Sequence, residues 1–141
     1  MSTSAWDKVI EDTLTAPFRA LRRLLPLVRD GGNAVVVGSI AGRIGGRGCA
    51  NYAAAKAGLV GLVNAASNEN CDRGVCVNLL ELGYMETGMG ARLSDKVKES
   101  TRLAIPLRRF GSEDDFGLAV EFLSRTRYMS GNVLTLAGGL R

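Results

Sequence analysis

Three short apolar runs, separated by longer segments with helical patterns, constrain the fold of this sequence most strongly. The runs are AVVVGS at 34–39, RGVCVNLLEL at 73–82 and GNVLTLAGG at 131–139. Runs of this kind are typical of buried strands in a parallel sheet. Parallel strands need long crossover connections, which the helical segments supply. The sequence therefore predicts an α/β protein with three parallel strands and helices on both faces of the sheet.

The first helical segment precedes the first strand. Apolar residues recur in it at helical spacing from residue 6 to about residue 29. We expect Ser4 to be its N-cap, and we expect Pro17 and Pro26 to bend or fray it. Further helices are predicted from NYAAAK at 51–56 to residue 69, within SDKVKESTRLA, and over GSEDDFGLAVEFLSR, where Ser112 has the pattern of an N-cap.

Length and composition exclude several classes of protein. The 141 residues are enough for one domain with its own core, and we expect residues 1–141 to form that domain. No apolar run reaches the length of a membrane span, and the polar N-terminus lacks the pattern of a signal peptide. The cysteines (Cys49, Cys71 and Cys76) show neither metal-site nor disulfide spacing, which favours a cytoplasmic protein without a metal centre. Because the chain has no histidine, it cannot contain a Ser-His-Asp triad.

The net charge of +4 raises the question of a nucleic-acid partner. The densest basic clusters are RALRR at 19–23 and LRRF at 107–110. Neither is interleaved with the aromatic residues that stack on bases. We therefore expect no nucleic-acid partner, and interpret these arginines as parts of solvated helix faces or as neighbours of an anionic small molecule.

Tyr52 and Lys56 lie four residues apart in the alanine-rich run NYAAAK. At this spacing both side chains lie on one face of a helix, one turn apart. An ammonium group beside a phenol stabilises the phenolate, so the pair can act as a general acid and base. The same spacing also occurs when an exposed tyrosine and a solvated lysine share an ordinary helix. The spacing alone leaves both interpretations open.

A glycine-rich stretch, GRIGGRG at 42–48, lies between the first predicted strand and the NYAAAK helix. It contains neither the GxxxxGK[ST] pattern of a P-loop nor the G-x-G-x-x-G pattern of a dinucleotide site. We interpret it as an active-site loop.

The segment GSIAGRIGGRGCANYAAAKAG resembles the active-site segment of the short-chain dehydrogenase/reductase family, β-ketoacyl reductases in particular. Ser39, Tyr52 and Lys56 have the family spacing. Flanking blocks agree in order: WDKVIEDTLTAPF, RGVCVNLLELGYMETGM, PLRRFGSEDD and MSGNVLTLAGG. The resemblance covers essentially the whole chain.

The resemblance implies roles for these residues. Tyr52 would donate a proton to the carbonyl oxygen, Ser39 would orient that oxygen, and Lys56 would stabilise the phenolate and hold the nicotinamide ribose. This agrees with the chemistry, because hydride transfer to a carbonyl builds negative charge on oxygen. Gly83 and Thr87, in LGYMETG, would lie beside the nicotinamide.

The sequence departs from the family pattern near the site. The helix asparagine that completes the family's proton relay aligns with Thr13. Where the family has a Pro-Gly pair that lines the nicotinamide site, this sequence has Leu82-Gly83. Glu81 precedes this pair, at a position where a small apolar residue is common in the family. Glu81 and Thr13 are therefore candidate accessory residues. The alternative for Glu81 is a carboxylate turned to solvent or paired with an arginine.

The resemblance begins at the catalytic half of such enzymes. We therefore expect a truncated Rossmann-like sheet that lacks the N-terminal dinucleotide-binding half, so NADP or NAD would bind only if a partner chain completes the site. The first strand would have an uncovered edge, which favours a homo-oligomer or a hetero-oligomer with a similar chain.

Three functions remain open from the sequence. The first is the catalytic component of a carbonyl reductase acting on a small ketoacyl or polyketide-type substrate. The second is a cofactor-independent proton-transfer enzyme, such as a cyclase, dehydratase or isomerase acting on an enolisable carbonyl. The third is a non-catalytic dimerisation partner of a full-length relative. Retention of Ser39, Tyr52 and Lys56 favours the first two.

Overall fold

The computed structural model describes residues 1–141 and contains one sheet of three parallel strands. The strands are β1 (Asn33–Ser39), β2 (Cys76–Leu82) and β3 (Val133–Leu136), hydrogen-bonded in the order β1-β2-β3. β2 is the central strand, and every one of its residues except the last is buried. The predicted three-stranded parallel sheet is confirmed.

Six α-helices surround the sheet. They are α1 (Thr3–Ile10), α2 (Ala16–Leu24), α3 (Ala41–Ile44), α4 (Ala50–Asn70), α5 (Asp95–Ala104) and α6 (Glu113–Arg125). A π-helical turn at Glu11–Thr15 joins α1 to α2, and 3-10 turns occupy Leu25–Leu27, Cys71–Arg73 and Gly90–Arg92. The short helix α3 lies within the stretch that the sequence indicated only as a glycine-rich loop. None of the helices is both long enough and apolar enough to cross a lipid bilayer.

The first helix begins earlier than predicted. Its N-cap is Ser2, whose Oγ accepts a hydrogen bond from the amide of Ala5 at 3.2 Å, and Ser4 lies inside α1. The prediction of Ser4 was wrong because two nearby serines precede the same apolar pattern. Pro17 lies in the first turn of α2, and Pro26 lies in a 3-10 turn, so the helix changes geometry at both prolines as expected.

The main core lies between α4 and the sheet. Leu59, Val63 and Ala66 of α4 pack in one cluster with Val77 and Leu79 of β2, all of them buried. Alternate residues of a strand face opposite sides of a sheet, so Asn78 belongs to the other face. Its side-chain Nδ2 donates to the carbonyl of Met129, just beyond α6, at 2.6 Å. Helices therefore cover both faces, as predicted.

Helix α6 begins with a complete capping box. The Oγ of Ser112 accepts from the amide of Asp115 at 3.1 Å, and the carboxylate of Asp115 accepts from the amide of Ser112 at 2.8 Å. This confirms Ser112 as the N-cap. The helix packs against all three strands, and its own Leu123 is fully buried.

Candidate active site

A cavity of about 710 Å³ opens at the carboxyl ends of β1 and β2. Its walls come from the end of β1, from α3 and the loop after it, from the start of α4, and from the loop after β2. Five residues singled out from the sequence line it: Ser39, Tyr52, Lys56, Gly83 and Thr87. In open α/β sheets, ligands bind at this edge. The fold thus brings together residues up to 48 positions apart, from Ser39 to Thr87.

Tyr52 and Lys56 share one face of α4, as their spacing predicts. The Lys56 Nζ lies 5.7 Å from the centre of the Tyr52 ring. It also donates a hydrogen bond to the carbonyl of Val37 in β1 at 3.2 Å. Burial lowers the pKa of Lys56, because desolvation disfavours the charged ammonium. The amine is therefore fixed between the strand end and the phenol ring.

Asn51, immediately before the tyrosine, fixes the start of α4. Its Oδ1 accepts from the amide of Tyr52 at 2.9 Å, and its Nδ2 donates to the carbonyl of Ala5 in α1 at 3.0 Å. The residue is 9% exposed. Sequence reasoning missed this role. The available signal was a residue type that caps helices, placed next to the catalytic candidate in the first turn.

Ser39 is the last residue of β1. Its Oγ accepts a hydrogen bond from the amide of Ala41 at 3.2 Å, and the next amide, that of Ile40, donates to the carbonyl of Leu82 at 2.9 Å. These bonds hold the strand end against β2 and place the hydroxyl where the chain turns into α3. The hydroxyl can still donate its own proton to an acceptor in the cavity.

Gly83 fits only as glycine. A Cβ there would lie 2.8 Å from the Cα of Ala137, and its amide donates to the carbonyl of Leu136 at 2.9 Å. Thr87 lies further along the same loop and is exposed at the cavity. The loop after β2 therefore packs its backbone closely against Ala137 at Gly83 and supplies the Thr87 hydroxyl to the site.

The two accessory candidates lie outside the cavity lining. Glu81 is buried and pairs with Arg43 at 3.0 Å, which is the arginine-paired alternative that the sequence left open. Thr13 lies in the π-helical turn between α1 and α2 and is partly buried. The structure thus does not bring either side chain to the cavity.

The remaining cavity wall is largely apolar. It includes Ile40, Ile44, Tyr84, Met85, Met89 and Leu93, together with Arg47 and Cys49. Apart from Lys56, Arg47 is the charged residue of this lining, and no acidic residue belongs to it. Ile44 and Arg47 belong to GRIGGRG, the stretch interpreted from the sequence as an active-site loop. The apolar residues of the loop after β2 lie in an irregular segment without a periodic pattern, so they could not be predicted from the sequence. The cavity suits a mainly apolar molecule with a polar group near Tyr52.

The parallel sheet, with its cavity at the strand ends and its Ser39, Tyr52 and Lys56 cluster, defines a Rossmann-like α/β protein. The chain belongs to the short-chain dehydrogenase/reductase family, because the family model described as "Enoyl-(Acyl carrier protein) reductase" matches residues 1–141. The resemblance recognised in the sequence is confirmed.

Known proteins agree with this assignment. The chain is 35% identical over 144 residues to a 3-oxoacyl-[acyl-carrier-protein] reductase of Staphylococcus aureus strain Mu50, covering 99% of this chain and 58% of that relative. It superposes on 3-hydroxyacyl-CoA dehydrogenase type-2 from Mycobacterium avium with a TM-score of 0.92 and 30% identity, covering 58% of that structure. A blue fluorescent protein from a metagenomic library, solved with NADPH, gives a TM-score of 0.89 at 26% identity, with 57% covered. The chain thus spans a little over half the length of these proteins, and its sheet corresponds to part of their Rossmann-like sheet.

Proposed function

We propose that residues 1–141 form the catalytic component of a carbonyl reductase that acts on a ketoacyl or polyketide-type substrate. The observation that carries the proposal is the convergence of Ser39, Tyr52 and Lys56 on one cavity at the strand ends. The similarity to 3-oxoacyl-[acyl-carrier-protein] reductases supports this substrate class. The largely apolar wall also suits an acyl chain.

Each residue has a chemical task in this reaction. When bound, NADPH or NADH would supply a hydride to the carbonyl carbon. The Tyr52 hydroxyl donates a proton to the carbonyl oxygen, and the C=O group becomes CH–OH. The Ser39 hydroxyl donates a hydrogen bond to the same oxygen as negative charge develops on it. The Lys56 ammonium stabilises the phenolate that Tyr52 leaves behind.

The residues present fit the nicotinamide end of the cofactor. Lys56 Nζ, the Thr87 hydroxyl and the close-packed backbone at Gly83 all lie at the cavity, where an ammonium and a hydroxyl can bind ribose and carboxamide oxygens. GRIGGRG lacks the spacing of a pyrophosphate-binding loop. We propose that another chain supplies the pyrophosphate and adenosine contacts. The NADPH complex of the metagenomic relative supports the choice of cofactor.

The unpaired outer edge of β1 supports the proposal of a partner chain. β1 pairs with β2 on one side only, so its other edge has no strand partner. An uncovered strand edge readily pairs with another strand. We propose that a different, similar chain supplies the nucleotide-binding half and covers this edge in a hetero-oligomer. A homo-oligomer could cover the edge but would not supply that half.

The test combines residues 1–141 with the separately produced dinucleotide-binding half of a 3-oxoacyl-[acyl-carrier-protein] reductase. The loss of NADPH absorbance is followed with a β-ketoacyl thioester. We expect turnover only in the mixture, and we expect Tyr52→Phe to lower the rate on the order of a hundredfold or more. Tyr128→Phe is the matched control, because Tyr128 is fully exposed and lies outside the cavity lining.

Two outcomes would contradict the proposal. One is a stable mixture that binds NADPH but does not oxidise it with any β-ketoacyl thioester. The other is full activity in Tyr52→Phe. Turnover of the thioester without nicotinamide would instead favour the proton-transfer enzyme, which uses the same tyrosine.

A further inference from the structure

Glu81 is the one charged residue among the buried residues of this protein. Its side chain is only 6% exposed, and it lies in the central strand β2, whose neighbouring residues Leu79 and Leu80 are fully buried. A carboxylate removed from water needs charged or hydrogen-bonding partners. We therefore expect specific partners for the Glu81 carboxylate.

Both partners of Glu81 come from other elements. Arg43 of α3 donates to Glu81 Oε2 at 3.0 Å, and the hydroxyl of Thr135 in β3 donates to the same oxygen at 2.9 Å. The side chain of Arg43 is 46% exposed. One carboxylate of the central strand β2 thus ties α3 to the edge strand β3.

Helix α3 depends on such contacts. It has four residues, Ala41–Ile44, and a helix this short is not stable alone. Its opposite side touches α4, where a Cβ on Gly42 would lie 2.6 Å from the amide nitrogen of Ala57. Ser39 lies two residues before α3, and Ile44 of α3 lines the cavity. Any displacement of α3 would therefore move part of the cavity wall.

We propose that Arg43 and Glu81 are positioning residues, whose ion pair holds α3 so that Ser39 and Ile44 keep their places at the cavity. Neither charged side chain lines the cavity. The kinetic part of this inference rests on the proposed reductase function, whereas the structural part does not. A buried ion pair adds little net stability compared with well-packed apolar side chains, so its main effect is on geometry.

Hydrogen exchange measures this directly. The amides of Arg43 and Ile44 donate to the carbonyl of Ile40, and the amide of Gly45 donates to that of Ala41. In Arg43→Met/Glu81→Met, which removes both charges, we expect near wild-type stability but exchange of these amides faster by about tenfold or more, as expected for losing a charge-assisted hydrogen bond. The single variant Arg43→Lys keeps a positive charge beside Glu81, so its α3 amides should keep most of their wild-type protection from exchange.

The matched control is the exposed pair Arg125–Glu121 of α6, joined at 2.8 Å. Arg125→Met/Glu121→Met should leave exchange in α3 unchanged. In the mixture with the nucleotide-binding half, the Arg43→Met/Glu81→Met variant should lower kcat by about tenfold, the order expected when a positioned donor is misplaced. If the ion pair contributed only to stability, exchange in α3 and kcat would both keep their wild-type values in this stable variant.

The results separate the two proposals. Wild-type exchange in α3 of the stable double variant would overturn the positioning role, whatever the enzyme does. Faster exchange with a wild-type kcat would overturn its link to the site. Absence of turnover in the wild-type mixture would contradict the proposed function, while the exchange data would still decide how α3 is held.

Discussion

Replacing Gly42 with alanine should separate α3 from α4 at the position of Lys56. A Cβ at residue 42 would lie 2.6 Å from the amide nitrogen of Ala57 and 2.8 Å from the carbonyl carbon of Lys56. Optimal contacts lie at about 3.5–4.0 Å, so α3 must move by ~1 Å. The obstructing atoms belong to the backbone of a long helix and cannot rotate away.

Overpacking of this kind costs about 1–3 kcal/mol of unfolding free energy. For a chain of this size, the melting temperature should fall by about 3–10 °C. Thermal and urea unfolding, followed by circular dichroism, measure both quantities. The matched control is Gly61→Ala in α4, the helix that obstructs the added Cβ at residue 42. At Gly61 an added Cβ meets no atom within 4 Å. That variant should gain up to about 1 kcal/mol, the helix-propensity difference. If Gly42→Ala is as stable as wild type while Gly61→Ala behaves as expected, the close approach of α3 to α4 is refuted.

Two further predictions concern other parts of the fold. Asn51→Ala leaves the amide of Tyr52 without its side-chain partner and should cost about 1–3 kcal/mol in urea unfolding; an unchanged midpoint would contradict the anchoring role. Arg109 above all holds the pKa of Asp115 well below its usual range. The ionised carboxylate therefore stabilises the fold above about pH 4, and this contribution is lost as the pH falls. Asp115→Asn should be less stable at pH 7 and lose less stability on acidification; parallel pH profiles would contradict this.

The strands could be predicted from the sequence because their signals are local. AVVVGS, RGVCVNLLEL and GNVLTLAGG are short apolar runs that include glycines. The last two contain β2 and β3, and AVVVGS covers β1 except for Asn33. Ser112 was identified as an N-cap because its acidic partner lies three residues away. Tyr52 and Lys56 were paired for the same reason, since one helical turn separates them. In each case the determining interaction lies within one segment.

The rest depended on contacts between distant segments. The partners of Glu81 lie 38 residues earlier and 54 residues later in the chain, so no local pattern could decide between the open alternatives for this carboxylate. Asn51 reaches Ala5 across 46 residues. The π-helical turn at Glu11–Thr15 has an ordinary helical sequence and is defined only by its backbone hydrogen bonds.

The most direct test of carbonyl reduction at Ser39, Tyr52 and Lys56 is isotope transfer. The mixture with the nucleotide-binding half is supplied with NADPH carrying deuterium at the transferable position, and the product is examined by mass spectrometry. We predict one deuterium on the new carbinol carbon, with its rate of appearance strongly lowered in Tyr52→Phe and unchanged in Tyr128→Phe. The contradicting result is product formed without nicotinamide, with solvent deuterium entering the α-carbon faster than in a protein-free control.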